Sequence, residues 1–175
     1  EENPHELDLL FKDILISVTS FFRDKEAFRA LDRLLEKILP EKADGDTFRV
    51  WSPGCSTGEE AYSLAIMLAE KLKKLNKQLT LQIFATDIDP DAIEKARRAI
   101  YPVTAVLDLD QALLKKYFSH EDSIVKVVKP IREMVIFARQ DITRDPPFMH
   151  LDLISCRNLL IYFNTRLQEK MFSLF

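Results

Sequence analysis

The sequence predicts an α/β fold built on a doubly wound, mostly parallel sheet, and three observations carry that reading. From Phe48 onward, short apolar runs alternate with helix-forming stretches, the pattern of strands joined by crossover helices and covered on both faces. The first run, FRVWS, breaks at Pro53-Gly54 into a loop holding two of the chain's three glycines, Gly54 and Gly58, and restarts as a helix at Glu59. The second run, LQIFATD, ends on a carboxylate, Asp87. In open α/β sheets ligands sit beyond the C-terminal ends of the strands, so loop and carboxylate fall in one crevice.

Each element has its own signal. HELDLLFKDIL places Leu7, Leu10, Phe11, Ile14 and Leu15 on one helical stripe. SVTSFFRD interrupts it, and Asp24 is a good N-cap for KEAFRALDRLLEKIL, which Pro40 ends. EKADGD is a turn-rich linker, so a helical segment over 1–45 is expected ahead of a ligand-binding domain over 46–175. Within that domain the runs FRVWS, LTLQIFATD, MVIFAR and LDLISC are strands. Glu59 to about Leu75 and Asp91 to about Ala99 are helices. The helical DLDQALLKKYF and the segment SIVKVVKP interrupt the alternation as an insertion, and TRLQEKMFSLF is helical again.

Composition narrows the function. The 175 residues are 47% hydrophobic with a net charge of −3, an ordinary globular balance without the basic excess expected of a nucleic-acid binder. No apolar run reaches membrane-spanning length, and the acidic start EENPHELD is unlike a signal peptide. Cys55 and Cys156 lack metal or redox spacing and read as reduced thiols in a cytoplasm; no metal is expected. The chain lacks an initiator Met and stops inside a helical stretch, so it is expected to be a piece of something longer.

The loop itself admits two readings. Gly54-Cys55-Ser56-Thr57-Gly58 is literally G-x-S-x-G, the nucleophile elbow of serine hydrolases. His120 and His150 follow it, but only helices precede the strand, neither histidine sits in a recognisable strand-end loop with an acid, and Glu59 and Glu60 oppose a developing oxyanion. The other reading is a nucleotide loop, with Asp87 accepting from ribose hydroxyls. A dinucleotide would want glycine where Ser56 stands, and two glutamates at the helix start repel a pyrophosphate. They suit a cation. S-adenosylmethionine carries an ammonium and a sulfonium and no phosphate, so charge favours it over NAD. Helix-dipole complementarity is the blander account of the glutamates, and N-capping of α-helical PDAIEKARRA suits Asp89 better than Asp87.

VWSPGCSTGEEAYSLAIMLAE, IFATDIDPDAIEKAR, the YF at 117, VIFARQDI and LDLISCRNLLIYF follow one another in the order and spacing of the CheR-type chemotaxis receptor methyltransferases. SVTSFFRD is similar to that family's upstream N-x-T-x-F-F-R, and VIFARQDITRDPPFMHLDLISCRNLLIYF most resembles versions fused to methylesterase and sensor domains. The resemblance runs from about Leu15 to Phe175. It implies a class I S-adenosylmethionine-dependent methyltransferase fold, Rossmann-like and preceded by short helices. The implied activity is methylation of glutamate side chains on cytoplasmic chemoreceptor helices, as part of chemotaxis adaptation.

By motif, the resemblance assigns Thr19 and Arg23 to the methionine carboxylate end, with Arg23 near the methyl. It assigns the loop from Pro53 to Gly58, Gly54 included, to the methionine part, Glu59 rather than Glu60 to the ammonium, and Asp87 to the ribose. Asp141 and Ile142 go beside the adenine, and Arg157, Asn158 and Tyr162 next to the methyl. Arg23 and Tyr162 are the catalytic candidates. Ser17 and Asp141 stand where the family commonly has Asn. The final sheet strands, the family's small β insertion and most of its N-terminal helical domain are expected to be missing. A non-catalytic S-adenosylmethionine-binding sensor module is the alternative function, and a serine hydrolase a remoter one.

Overall fold

The computed structural model describes residues 19–175; the expected helix over 5–15 and Ser17 lie outside them. α1 (Lys25–Ile38) begins at Asp24, whose carboxylate accepts from the Ala27 amide at 3.3 Å. Pro40 ends it inside a 3-10 turn, Leu39–Glu41. β1 (Thr47–Pro53), α2 (Glu59–Leu75), β2 (Thr80–Asp87) and α3 (Pro90–Arg98) follow, as the alternation predicts. β1 and β2 are parallel along their length, from Thr47 beside Thr80 to Pro53 beside Thr86.

Residues 100–127 correct the sequence reading. A small β insertion is present: β3 (Ile100–Pro102), β4 (Phe118–Glu121) and β5 (Ile124–Val127) form an antiparallel sheet in the order β3-β5-β4. α4 (Gln111–Tyr117), capped by Asp110, leads into β4. Tyr101, Tyr117, Phe118, Val125 and Val127 bury their side chains in the main core. On α2, Glu70 accepts from both Lys116 and Tyr117, which ties the insertion to the principal domain.

After the short α5 (Lys129–Arg132), β6 (Val135–Arg139) pairs with β2 and β7 (Leu153–Ile154) with β1, giving a four-stranded parallel sheet in the order β6-β2-β1-β7. α6 (Thr165–Leu174), capped by Asn164, completes the described chain. Side chains alternate across the sheet, as strand geometry requires. Phe48, Val50, Leu81 and Ile83 join α1, α2 and α3 in one apolar cluster. Trp51 and Phe84 point the other way, to Ile142 and to Met171 of α6. Lys71 of α2 is 3% exposed and pairs with Asp32 at 2.6 Å and Glu36 at 3.0 Å, which fastens α1 against α2.

Gly58 opens α2 at φ +95°, where an added Cβ would lie 2.9 Å from the Ala96 Cβ and 3.1 Å from the Phe137 ring. Gly58→Ala is expected to lower stability by about 2 kcal/mol, from left-handed backbone strain and overpacking together. Urea denaturation of the full-length protein measures it; an unchanged midpoint would refute the tight approach of α2 to α3 and β6.

Candidate ligand site

The site forms where the C-terminal ends of β1, β2 and β7 meet the turn that precedes α1. The segment around Arg23 is shaped by two left-handed residues, Phe22 at φ 50° and Asp24 at φ 63°. The Phe22 amide donates to the Ser63 hydroxyl of α2 at 2.9 Å. Phe21 is buried edge-on against Tyr101 and Phe118 of the insertion, and Phe22 packs on Phe28. Both phenylalanines therefore serve packing. Arg23, between the two left-handed residues, is exposed. Thr19 is the first described residue and is half-buried.

Between β1 and α2 the glycine loop is held from below. The Cys55 amide donates to the Thr86 carbonyl at 3.0 Å, and the Ser56 amide to Asp87 Oδ2 at 2.7 Å. The other Asp87 oxygen accepts from the Asp89 amide at 3.0 Å. Asp89 caps α3 through the Asp91 amide, the separation of roles the sequence favours. Gly54, at φ +67°, is approached by the Leu159 side chain, where a Cβ would stand 3.0 Å away. From the insertion, the Tyr101 hydroxyl donates to the Thr57 carbonyl at 2.8 Å. Tyr101 escaped the sequence reading because nothing in its neighbours joins it to a loop 44 residues away.

The two glutamates at the head of α2 face different partners. Glu59 is 7% exposed and accepts from the Thr57 hydroxyl at 2.7 Å. Glu60 accepts from the Ser155 hydroxyl at 2.8 Å and pairs with Arg157 at 3.4 Å. Burial raises the pKa of both carboxyls above the ordinary 4.5. At Glu60 the Ser155 hydroxyl and the charges of Arg157 and Arg23 draw it partly back. Arg157 in turn donates to the Arg23 carbonyl at 2.7 Å, lies 3.7 Å from Asp24 and stacks over the Phe28 ring at 5.2 Å.

Direct contacts thus unite Arg23, Gly54, Asp87, Glu60 and Arg157 with their neighbours, while other candidates stand around them. The Gln140 amide donates to the Asp87 carbonyl at 2.9 Å, which brings the end of β6 beside that of β2. Asp141 turns its carboxylate onto its own loop, accepting from the Thr143 amide at 2.9 Å and from the Thr143 hydroxyl at 2.6 Å. Those bonds hold its pKa below the usual carboxylate value. Ile142 is buried in the cluster with Trp51 and Met171. Asn158 is exposed at φ 54°. Tyr162, on the 3-10 turn Leu160–Tyr162, is 48% exposed, so it is no core residue.

Ser56 adopts φ 49°, and its hydroxyl is buried with no hydrogen-bond partner among the described residues. No histidine base among the described residues touches it: His120 lies exposed on β4 and His150 in the loop before β7. Burial, aided by the Asp87 charge, pushes the Cys55 thiol well up; burial and Glu60 push Cys156 up to about 11. Neither sulfur is poised as a nucleophile. The orphaned Ser56 hydroxyl and the carboxylates Glu60 and Asp87 fit a polar, cationic ligand such as S-adenosylmethionine. The described residues contain no cluster suited to a metal ion and no helix long and apolar enough to cross a membrane.

A family model described as "CheR methyltransferase, SAM binding domain" matches residues 17–175. An uncharacterized 104.1 kDa protein of the hypE 3' region in Rhodobacter capsulatus is 40% identical over 166 residues, 94% of this chain and 17% of that protein. A chemotaxis protein methyltransferase of Borreliella burgdorferi is 34% identical over 170 residues, 93% of this chain and 59% of that one. The chain therefore spans less than two thirds of the length of these curated relatives. The solved S-adenosyl-L-homocysteine complex of a SAM-dependent methyltransferase from Thiobacillus denitrificans matches at TM-score 0.44 and 15% identity, covering 93% of this chain and 48% of that one.

Proposed function

This chain belongs to the family of CheR methyltransferase S-adenosylmethionine-binding domains, and from that premise we propose that the whole protein methylates glutamate carboxylates of chemoreceptors in the cytoplasm, forming methyl esters. The observation that carries the reading is the half-buried Glu60, paired with Arg157 and under the charge of Arg23, at the head of the helix that follows the glycine loop held by Asp87. The cofactor supplies an electrophilic methyl on a sulfonium. An acceptor glutamate is already ionised near neutral pH, so no side chain has to remove a proton. Positioning and a preorganised polar site carry the rate.

Within that proposal the cofactor's ammonium is placed at Glu60, which faces the Arg23 turn through Arg157, in preference to Glu59, which turns to Thr57 of the loop. Thr19 and Arg23 grip the methionine carboxylate, the loop from Gly54 presents its backbone, and Asp87 accepts from the ribose. Asp141 and Ile142 flank the adenine, and Asn158 borders the methyl, while Arg157, next to it in sequence, is engaged by Glu60 and the Arg23 carbonyl. Arg23 orients the acceptor carboxylate, and the exposed Tyr162 hydroxyl donates to it. The resemblance of residues 135–163 to fused forms supports a larger protein with methylesterase and sensor units. Incubating full-length protein with labelled S-adenosylmethionine and receptor cytoplasmic fragments should yield base-labile methyl esters. Cofactor binding without transfer would favour the sensor module, and labelling of Ser56 by a fluorophosphonate would favour the hydrolase.

A pH dependence follows from the raised carboxyls. An acid whose folded pKa exceeds its unfolded value holds more protons when folded. Glu59 and Glu60 therefore weaken the ligand-free fold as pH rises from 4.5 through their raised values. An ammonium bound at Glu60 reverses the preference. S-adenosylhomocysteine binding to the full-length protein is expected to tighten as pH climbs through that window and to release protons. Calorimetry in buffers of different ionisation enthalpy reads both; a flat affinity would remove Glu60 from the ammonium site.

A further inference from the structure

We propose that Arg157 is a positioning residue: bonded to the Arg23 carbonyl and paired with Glu60, it holds a left-handed turn that aims Arg23 into the crevice. The turn needs holding. Positive φ is disfavoured for any residue with a Cβ, most of all for a bulky one, yet Phe22 and Asp24 both adopt it, at 50° and 63°. Two anchors oppose the strain. On one side the Phe22 amide donates to Ser63 of α2 at 2.9 Å. On the other, Arg157 Nη2 donates to the Arg23 carbonyl at 2.7 Å, across 134 residues of sequence.

The rest of the guanidinium is engaged as well. Nη1 lies 3.4 Å from Glu60 Oε2, Nη2 lies 3.7 Å from Asp24, and the plane covers the Phe28 ring against which Phe22 also packs. Only a planar fork reaches all of these at once. Arg157 is 20% exposed, with its donors turned to the protein. Arg23, in contrast, is exposed, and its charge acts on Glu60. The geometry divides the labour: one arginine is fixed so that the other can work. This division rests on the proposed cofactor reading only in naming what Arg23 then meets.

The test uses Arg157→Gln and Arg157→Lys in the full-length protein, with two readouts. Amide hydrogen exchange reports the turn without any ligand. The Phe22 amide is expected to exchange about tenfold faster or more in both variants, since lysine keeps a cation near Glu60 but loses the fork. Calorimetry with S-adenosylhomocysteine then closes a double-mutant cycle with Arg23→Lys. Arg157→Gln should weaken binding about tenfold, and adding Arg23→Lys to it should change affinity by less than about twofold, because Arg157 acts through Arg23. Unchanged exchange at Phe22 overturns the proposal. So do independent, multiplying losses in the cycle, which would mean that Arg157 meets the ligand itself or supports the fold at large. Should Arg157→Gln unfold, Arg157→Lys decides. A wild type that binds no S-adenosylhomocysteine sinks the cofactor reading, and the clamp is then judged on Phe22 exchange alone.

Discussion

Arg23→Lys in the full-length protein is expected to cut receptor methylation about 100-fold while shifting folding stability by less than about 0.5 kcal/mol. The small stability term follows from exposure: the side chain lies outside the core that Phe21 and Phe28 enter on either side of it. The large kinetic term follows from shape. A guanidinium presents two parallel donors to a carboxylate, whereas an ammonium presents a point charge that leaves the acceptor free to rotate. Initial rates with labelled cofactor, paired with urea melts, separate the two terms. Normal methylation would return Arg23 to the surface, and loss of folding would make it structural.

Asp87→Ala is expected to weaken S-adenosylhomocysteine binding by about 3 kcal/mol, toward the upper end for charge-assisted hydrogen bonds. The effect is large because the carboxylate has more than one task. It already fixes the Ser56 and Asp89 amides, so its loss loosens the loop as well as removing the proposed ribose acceptor. Asp87→Asn keeps one acceptor oxygen and should fall between wild type and alanine in calorimetry. Full retention of affinity in the alanine variant would sink the ribose assignment.

The four principal strands were legible because apolar runs of five or more residues between turn signals have few other uses. The two long crossover helices and the cap at Asp24 were legible from equally local chemistry. The place of the insertion and its helix were legible too, but its antiparallel sheet was not. β4 is the four residues FSHE, three of them exposed, and its pairing with β5 depends on a two-residue turn at Asp122 with φ 49°. So short and polar a strand has no periodicity of its own. Asp87 could be placed because a strand end is a position along the sequence. Choosing between Glu59 and Glu60 was beyond sequence, since adjacent helical residues differ by about 100° in direction. The roll of α2, set by its packing on β1 and α1, decides which carboxylate faces Ser155. The bond from Arg157 to the Arg23 carbonyl was beyond sequence for a related reason: a backbone carbonyl leaves no trace in side-chain motifs.

The central place of β1 in the sheet has a consequence for biosynthesis. One flank of β1 can be covered once β2 has emerged, but Asp152, which receives the Arg49 amide at the other flank, is encoded 103 residues later. At translation rates of about 5–20 residues per second, that edge waits on the order of 5–20 s. During the interval a half-built sheet offers unpaired main-chain donors and the apolar face around Trp51 to solvent. The ribosome-bound chain is then a natural client for chaperones, and the crevice does not yet exist. Cofactor cannot act as a template for the early steps; it can only bind a chain in which β7 and Arg157 have already docked.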